Sequence, residues 1–173
     1  MIRRLATLAG LVLAFASTSE AQFIDTRFAA LSFTVSTTPA YSAGDAIGTK
    51  GTIANACLSR SNRGEVRGVT IDDLAMQSAD IDLVLFSADP SATTFTDNGA
   101  LDIADADLPK VTAVIPITTH KTFADNSVSQ AKNIAYPFQC NSSGTLYYVL
   151  VARGTPTYSA TTDVSGILEF IND

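Results

Sequence analysis

Short runs in which apolar and polar residues alternate recur along this chain, and they restrict its fold more than any other feature. Residues 31–36, 81–86 and 134–138 each place an apolar side chain at every second position. Because successive side chains of a β-strand point to opposite faces, this period of two predicts strands with one buried face.

Turn-forming residues separate these runs from further predicted strands, at residues 53–58, 66–71, 111–117, 146–151 and 164–170. The run at 146–151 is apolar throughout, as expected for a strand that is buried on both faces. Pro116 cannot donate a ladder hydrogen bond, so it favours an edge position or a strand end for the strand that contains it.

The polar and Gly-rich stretches between the strands are predicted as loops, at residues 39–51, 87–109 and 118–130. One helical turn is predicted inside the second loop, at 102–108. No helical period is long enough to cross over a parallel sheet. The pattern therefore predicts an all-β fold, an antiparallel β-sandwich of Ig-like or jelly-roll type with about eight short strands.

The N-terminal residues have the pattern of a secretory signal. Two arginines precede an apolar run at 5–16, and the small residues Ser19 and Ala21 suit cleavage just after them. The alternative is a retained segment that anchors the protein to a neighbouring subunit. We expect residues 1–22 to be this leader or anchor and residues 23–173 to be a single β-sandwich domain. The apolar run is too short to span a bilayer, and no other stretch suggests a membrane span.

The composition indicates a folded protein that does not bind nucleic acid. Hydrophobic residues make up 46% of the chain and charged residues 16%, the opposite of the balance in disordered chains. The formal net charge is -6, and no large basic cluster occurs. Because nucleic-acid binding usually needs a basic face, the sequence disfavours that role.

Two cysteines, Cys57 and Cys140, leave two alternatives open. They form either one disulfide or two buried free thiols, since pairing cannot be read from sequence. A zinc site of four ligands is disfavoured because His120 is the only histidine.

The sequence gives little support for catalysis. A hydrolytic triad would have to use His120, which lies in a polar stretch predicted to be a solvated surface loop. The three glutamates, Glu20, Glu65 and Glu169, form no identifiable acid–base pair. We therefore predict a protein that is not an enzyme and that holds no cofactor.

One acidic stretch is a weak candidate for a cation site. Asp102, Asp105 and Asp107 could supply carboxylate oxygens to calcium, although their spacing does not match an EF-hand loop. The alternative is that these aspartates cap helical turns and stabilise the loop.

Several phrases together resemble a group of small structural proteins encoded by tailed bacteriophages. They are residues 41–48 (YSAGDAIG), 80–98 (DIDLVLF running into DPSATTFTDN), 105–110 (DADLPK) and 152–158 (ARGTPTY). The resemblance extends over residues 31–173. It implies no catalytic residues.

The resemblance implies a virion component, either a capsid decoration or head-fibre protein or a tail accessory. Its partners would be other virion proteins, and it would form a homo-oligomer, with a trimer as one form by analogy with sandwich decoration proteins. A cleaved leader at 1–22 would not suit assembly in the host cytoplasm. The alternative is therefore an exported bacterial β-sandwich, secreted or extracellular, that serves as a binding or surface-assembly module. The loop at 87–109 and the N-terminal segment are the expected interfaces.

Overall fold

The computed structural model describes residues 25–58 and 61–172, so the leader or anchor expected at residues 1–22 lies outside the described residues. The described part contains nine strands and one short 3₁₀ turn, Leu108–Lys110. The strands are β1 (Asp25–Ser32), β2 (Ala46–Ile53), β3 (Arg63–Asp73), β4 (Ile81–Phe86), β5 (Val111–Ile117), β6 (Thr119–Thr122), β7 (Ser127–Gln139), β8 (Leu146–Ala152) and β9 (Val164–Asn172).

Two antiparallel sheets pack face to face. The five-stranded sheet has the order β1-β9-β3-β7-β6, and the four-stranded sheet has the order β2-β8-β4-β5. This arrangement confirms the predicted all-β antiparallel sandwich. The number of strands exceeds the predicted eight because the polar stretch 118–130 contains β6 and the start of β7.

The main core lies between the sheets. Inward side chains of β3, β7 and β9 meet those of β4, β5 and β8, and most are almost completely buried: Val66, Val69, Ile71, Phe138, Leu168 and Phe170 on one sheet, and Leu83, Leu85, Ile115, Ile117, Leu146 and Leu150 on the other. Each fully buried side chain of this size contributes about 1.5–3 kcal/mol relative to an exposed one.

A second, smaller core lies on the outer face of the four-stranded sheet. Residues 87–110, which we call the cover, place Phe95, Leu101 and Ile103 over buried residues of three strands: Ala46, Val84, Phe86, Val149 and Val151. This cover explains why β4 and β8 are apolar on both faces. The acidic connection predicted as an open loop is therefore largely a packed layer of the molecule.

Two strand predictions were wrong in their bounds. β1 ends at Ser32, although Phe33 and Val35 beyond it stay buried. β2 occupies residues 46–53, whereas a loop was predicted at 39–51. The strand predicted at 53–58 overlaps β2 only at Ile53, and residues 54–58 form no strand. The glycines of β2 hid the pattern: Gly48 has a φ of 74°, and a Cβ at Gly51 would lie 2.2 Å from Cζ of Tyr148. The ladder between β2 and β8 shifts register between Ile47 and Gly51.

No helix within residues 25–58 and 61–172 has the length and apolar character that a membrane crossing requires.

Candidate functional site

The four segments singled out in the sequence, residues 41–48, 80–98, 105–110 and 152–158, meet at the cover. The backbone amide of Ala46 donates to the carbonyl of Gly99, and the amides of Asn98 and Leu101 donate to the carbonyls of Ala46 and Gly44, each at 2.9 Å. These bonds clamp residues 41–48 onto the middle of the cover. These segments therefore form a framework of backbone pairing.

Residues 152–158 join the same framework. The amide of Gly44 donates to the carbonyl of Ala152 at 2.8 Å, and the amide of Tyr41 donates to the carbonyl of Pro156 at 3.0 Å. The ring of Tyr41 packs edge-on against Tyr158 with the centroids 5.6 Å apart. One contiguous region thus contains residues from all four phrases.

Asp97 is the polar centre of this framework. Its Oδ1 accepts the hydroxyl proton of Tyr41 and the backbone amide of Gly48, both at 2.6 Å. The Tyr41 hydroxyl in turn accepts the amide of Ser36 at 2.8 Å. Burial and the hydrogen bond to Asp97 raise the pKa of Tyr41 far above its usual value, so its hydroxyl remains a neutral donor.

Asp107, one of the three candidate calcium ligands, holds the far end of the cover. Its Oδ2 accepts the amides of Ala92 and Thr93 at 2.9 and 2.7 Å and the hydroxyl of Thr93 at 2.8 Å. Its Oδ1 accepts from Nζ of Lys110 at 2.7 Å. Burial alone would raise the pKa of this carboxyl, but the hydrogen bonds from Lys110 and Thr93 outweigh it and lower the pKa to about 2.

The structure does not bring the three candidate ligands together. Asp102 and Asp105 are exposed, whereas Asp107 is buried with its oxygens occupied by protein donors. Within the described parts of the chain, no three His, Cys, Asp or Glu side chains form a group that could hold a metal ion. The geometry favours the alternative, in which an aspartate organises the loop through its hydrogen bonds.

His120 lies in β6 and not in the solvated loop that was predicted. Its Nδ1 lies 2.7 Å from Oγ of Ser129, and its Nε2 lies 2.8 Å from Oδ1 of Asp80. A neutral imidazole with its proton on Nε2 satisfies both contacts, because it donates to Asp80 and accepts from the Ser129 hydroxyl.

These three residues are linked in the order Ser–His–Asp, but the imidazole is reversed relative to a hydrolytic triad, with Nδ1 towards the serine and Nε2 towards the aspartate. The serine also lacks the access that a triad needs. A nucleophilic serine must present its hydroxyl to a substrate beside oxyanion donors. Ser129 is 3% exposed and lies within β7, paired with Ile71 on one side and His120 on the other. The group instead links the two sheets, since Asp80 directly precedes β4 and the other two residues belong to the five-stranded sheet.

Cys57 and Cys140 are joined as a disulfide. Cys57 follows β2 of the four-stranded sheet, and Cys140 follows β7 of the five-stranded sheet, so this bond also links the two layers. It lies at the end of the sandwich opposite His120. Beside it, the guanidinium of Arg27 donates to the carbonyl of Asn55 and lies 5.8 Å from the ring centroid of Phe170.

A surface that the sequence did not predict lies on the outer face of the five-stranded sheet. Phe28 in β1 is 67% exposed and Ile167 in β9 is 45% exposed. Phe28 pairs with Glu169, and Ala30 pairs with Ile167, so the two apolar residues are diagonal neighbours on one face. The first strand was predicted to begin at residue 31, which left Phe28 outside any predicted strand. The sequence signal that could have placed Phe28 in this strand is the alternation of Phe28, Ala30 and Ser32 with Ala29 and Leu31.

No protein-family model matches the chain, and no curated protein matches it either. Its function must therefore be argued from its residues and their geometry. The features that bear on function are the cover framework, the disulfide and the His120 group that link the sheets, and the exposed apolar side chains on the strands.

Proposed function

We propose that the protein is a non-catalytic structural subunit of a tailed-phage virion, of the capsid decoration, head-fibre or tail accessory type. The observation that carries the proposal is that two large apolar side chains stand exposed next to each other on regular strands of one sheet face, Phe28 at 67% and Ile167 at 45%. Contiguous exposed apolar surface on a soluble fold typically marks contact with other proteins.

The resemblance supports the same role in a specific way. The shared phrases supply Tyr41, Asp97 and Asp107, whose side chains fasten the cover to the sandwich. A family that keeps this framework keeps a stiff body with fixed outer surfaces, as a subunit packed on a lattice requires. Rigid, pre-organised surfaces lose little conformational entropy when they pack together.

The polar groups also suit a structural role. The carboxylates of Asp97, Asp107 and Asp163 accept hydrogen bonds from backbone amides or hydroxyls. The Ser129 hydroxyl of the one triad-like group is buried. These groups are used to hold loops and layers in place.

The second candidate is an exported bacterial module that binds or assembles at a surface. The observation that favours it is the disulfide between Cys57 and Cys140, because disulfides persist mainly outside the reducing cytoplasm. It also agrees with the secretory pattern of residues 1–22, if that segment is removed.

Intact mass spectrometry of the protein from its native source, without reduction and after separation of particles on a density gradient, distinguishes the two. The virion proposal expects the protein in the particle fraction, and a full-length mass would assign residues 1–22 to an anchor. If the protein is found only in the particle-free fraction, with the mass of a chain that starts at Gln22 and is two hydrogens lighter than its reduced form, the virion proposal is overturned in favour of export. The same sample after reduction is the control, because it must gain those two hydrogens if the disulfide is present.

A further inference from the structure

Within the described residues, no strand pairs with the outer edge of β1. β1 is the last strand of the five-stranded sheet, with β9 on one side and no described strand on the other. Natural proteins usually protect such edges with proline, charged side chains (lysine above all), bulges or very short strands. β1 is eight residues long, contains neither proline nor lysine, and pairs with β9 without a register shift. Its Arg27 is held by Asn55 and Phe170.

The hydrogen bonds of Ser32 show which backbone groups of β1 point away from β9. Its amide lies 3.1 Å from the hydroxyl of Tyr148 in β8, and its carbonyl lies 3.4 Å from the same hydroxyl. Both groups therefore turn away from β9. Because backbone direction alternates along a strand, Thr26, Phe28 and Ala30 also turn their N–H and C=O groups to the free edge.

Phe28 combines this free backbone with an exposed ring. Its side chain points to the outer face, where Ala30 and Ile167 lie beside it. A strand added at this edge would gain main-chain hydrogen bonds and would cover part of the ring at the same time.

We propose that a second copy of this chain pairs with β1 in antiparallel fashion about a two-fold axis at Phe28, so that the two five-stranded sheets become one continuous sheet. The inference rests on the assembly role proposed above and names one surface and one partner for it. In this register Phe28 faces Phe28 of the second copy, and Thr26 faces Ala30. Cross-strand aromatic pairs stabilise sheets.

The charges of β1 and the sheet faces of its residues both suit this register. Directly opposed residues of an antiparallel pair share a face, and Phe28, Thr26 and Ala30 all lie on the outer face. On the inner face Arg27 would lie opposite Ala29, so the two arginines do not meet. An interface of this kind is isologous, because each copy contributes the same strand.

Sedimentation velocity of the full-length chain over a range of micromolar concentrations tests the proposal. We expect a monomer–dimer equilibrium. Ala30→Pro removes an outward N–H without removing a bond to β9, and Phe28→Lys places two like charges opposite each other. Each variant should raise the dimer dissociation constant at least about tenfold, which corresponds to about 1.4 kcal/mol.

Val114→Lys is the matched control, since Val114 is an exposed strand residue of the other sheet, 44% exposed, and should leave the equilibrium unchanged. Circular dichroism of each variant verifies folding, and Phe28→Lys keeps the test decisive if Ala30→Pro does not fold.

A wild-type chain that stays monomeric overturns the proposal, and protection of Phe28 from hydrogen exchange in that monomer would point to residues 1–24 as the covering segment. A dimer insensitive to both variants also overturns it. Either failure leaves the virion proposal intact if the protein still sediments with particles.

Discussion

In the loops of this protein, single aspartate carboxylates accept backbone hydrogen bonds that regular secondary structure would otherwise satisfy. Asp73, Asp107 and Asp163 are buried, and each accepts hydrogen bonds from two or more backbone amides that lie outside regular ladders. Buried backbone amides without partners are costly, so one aspartate that satisfies several of them stabilises a loop effectively. The stabilisation depends on the negative charge, because hydrogen bonds to an ionised acceptor are the stronger ones.

Asp107 makes this dependence measurable. Its pKa is lowered to about 2 in the folded protein, below the value of about 3.9 that an aspartate has in an unfolded chain. A lowered folded-state pKa contributes stability that is fully present above the unfolded value and is lost as the pH falls towards the folded value. We expect wild-type stability to drop between about pH 4 and pH 2, with a shallower drop in Asp107→Asn.

Urea denaturation at a series of pH values provides the measurement. Asp102→Asn is the control, since Asp102 is exposed in the same segment and its substitution should leave the profile unchanged. Identical pH profiles for wild type and Asp107→Asn would show that the Asp107 charge does not hold the cover.

At the scale of elements, the cover is the feature that distinguishes this sandwich from two bare sheets. Phe95 packs edge-on against Phe86 with the ring centroids 6.0 Å apart, and Nζ of Lys50 lies 5.8 Å from the Phe95 centroid. Lys50 also pairs with Asp89 of the cover. The outer core is thus fastened by both apolar and charged contacts.

Phe95→Ala should loosen the cover and leave the main sandwich folded. Removal of a partly buried ring should cost about 2–3 kcal/mol, towards the low end of the range for large-to-small substitutions. Hydrogen exchange should accelerate within residues 87–107 and stay slow in β3, β7 and β9. Leu108→Ala, at a residue 58% exposed, is the control and should change stability by no more than about 0.5 kcal/mol. Unchanged exchange in the cover of Phe95→Ala would contradict the packed layer.

The disulfide is an element of stability in its own right. It joins residues 83 positions apart, and the entropy of closing a loop of this size in the unfolded chain corresponds to about 4.5 kcal/mol. The double variant Cys57→Ala, Cys140→Ala should therefore lose about that amount in urea denaturation. Wild type measured with a reducing agent is the control and should lose a similar amount. No effect of reductant on wild type would show that the bond is absent from the purified protein.

The elements that the sequence predicted well are those with a clear local run or alternation of apolar residues. β4 and β5 have the predicted bounds, and Pro116 lies on the edge strand of its sheet, as its missing donor requires. β2 was missed because Gly48 and Gly51 interrupt its apolar pattern. Gly48 is required by its positive φ, and Gly51 is required by the close approach of Tyr148. β6 was missed because its four residues are polar and partly exposed at a sheet edge.

The candidate site was less predictable because its contacts are distant in sequence. Nothing near Asp107 indicates that Thr93 will be its partner, and the contact of Tyr41 with Asp97 joins residues 56 positions apart. The acidic stretch therefore looked like a cation site or an open loop. Only the fold shows that one of its aspartates is buried and two are exposed.

For the whole molecule, the disulfide links the two sheets at one end, and the Asp80–His120–Ser129 group links them through hydrogen bonds at the other. Cys140 and Ser129 lie near opposite ends of β7, about 36 Å apart at the rise of an extended strand. His120→Ala should cost about 1–2 kcal/mol, because it leaves the Ser129 hydroxyl without its partner.

Since the two links are far apart and share no partners, their contributions should add. The triple variant His120→Ala, Cys57→Ala, Cys140→Ala should lose the sum of the two separate costs to within about 0.5 kcal/mol in the free energy of unfolding by urea. Thr122→Ala, an exposed β6 residue, controls for changes in the strand itself. A sum that fails by more than about 1 kcal/mol would mean that the sheets separate as one coupled unit, so that loss of either link weakens the other.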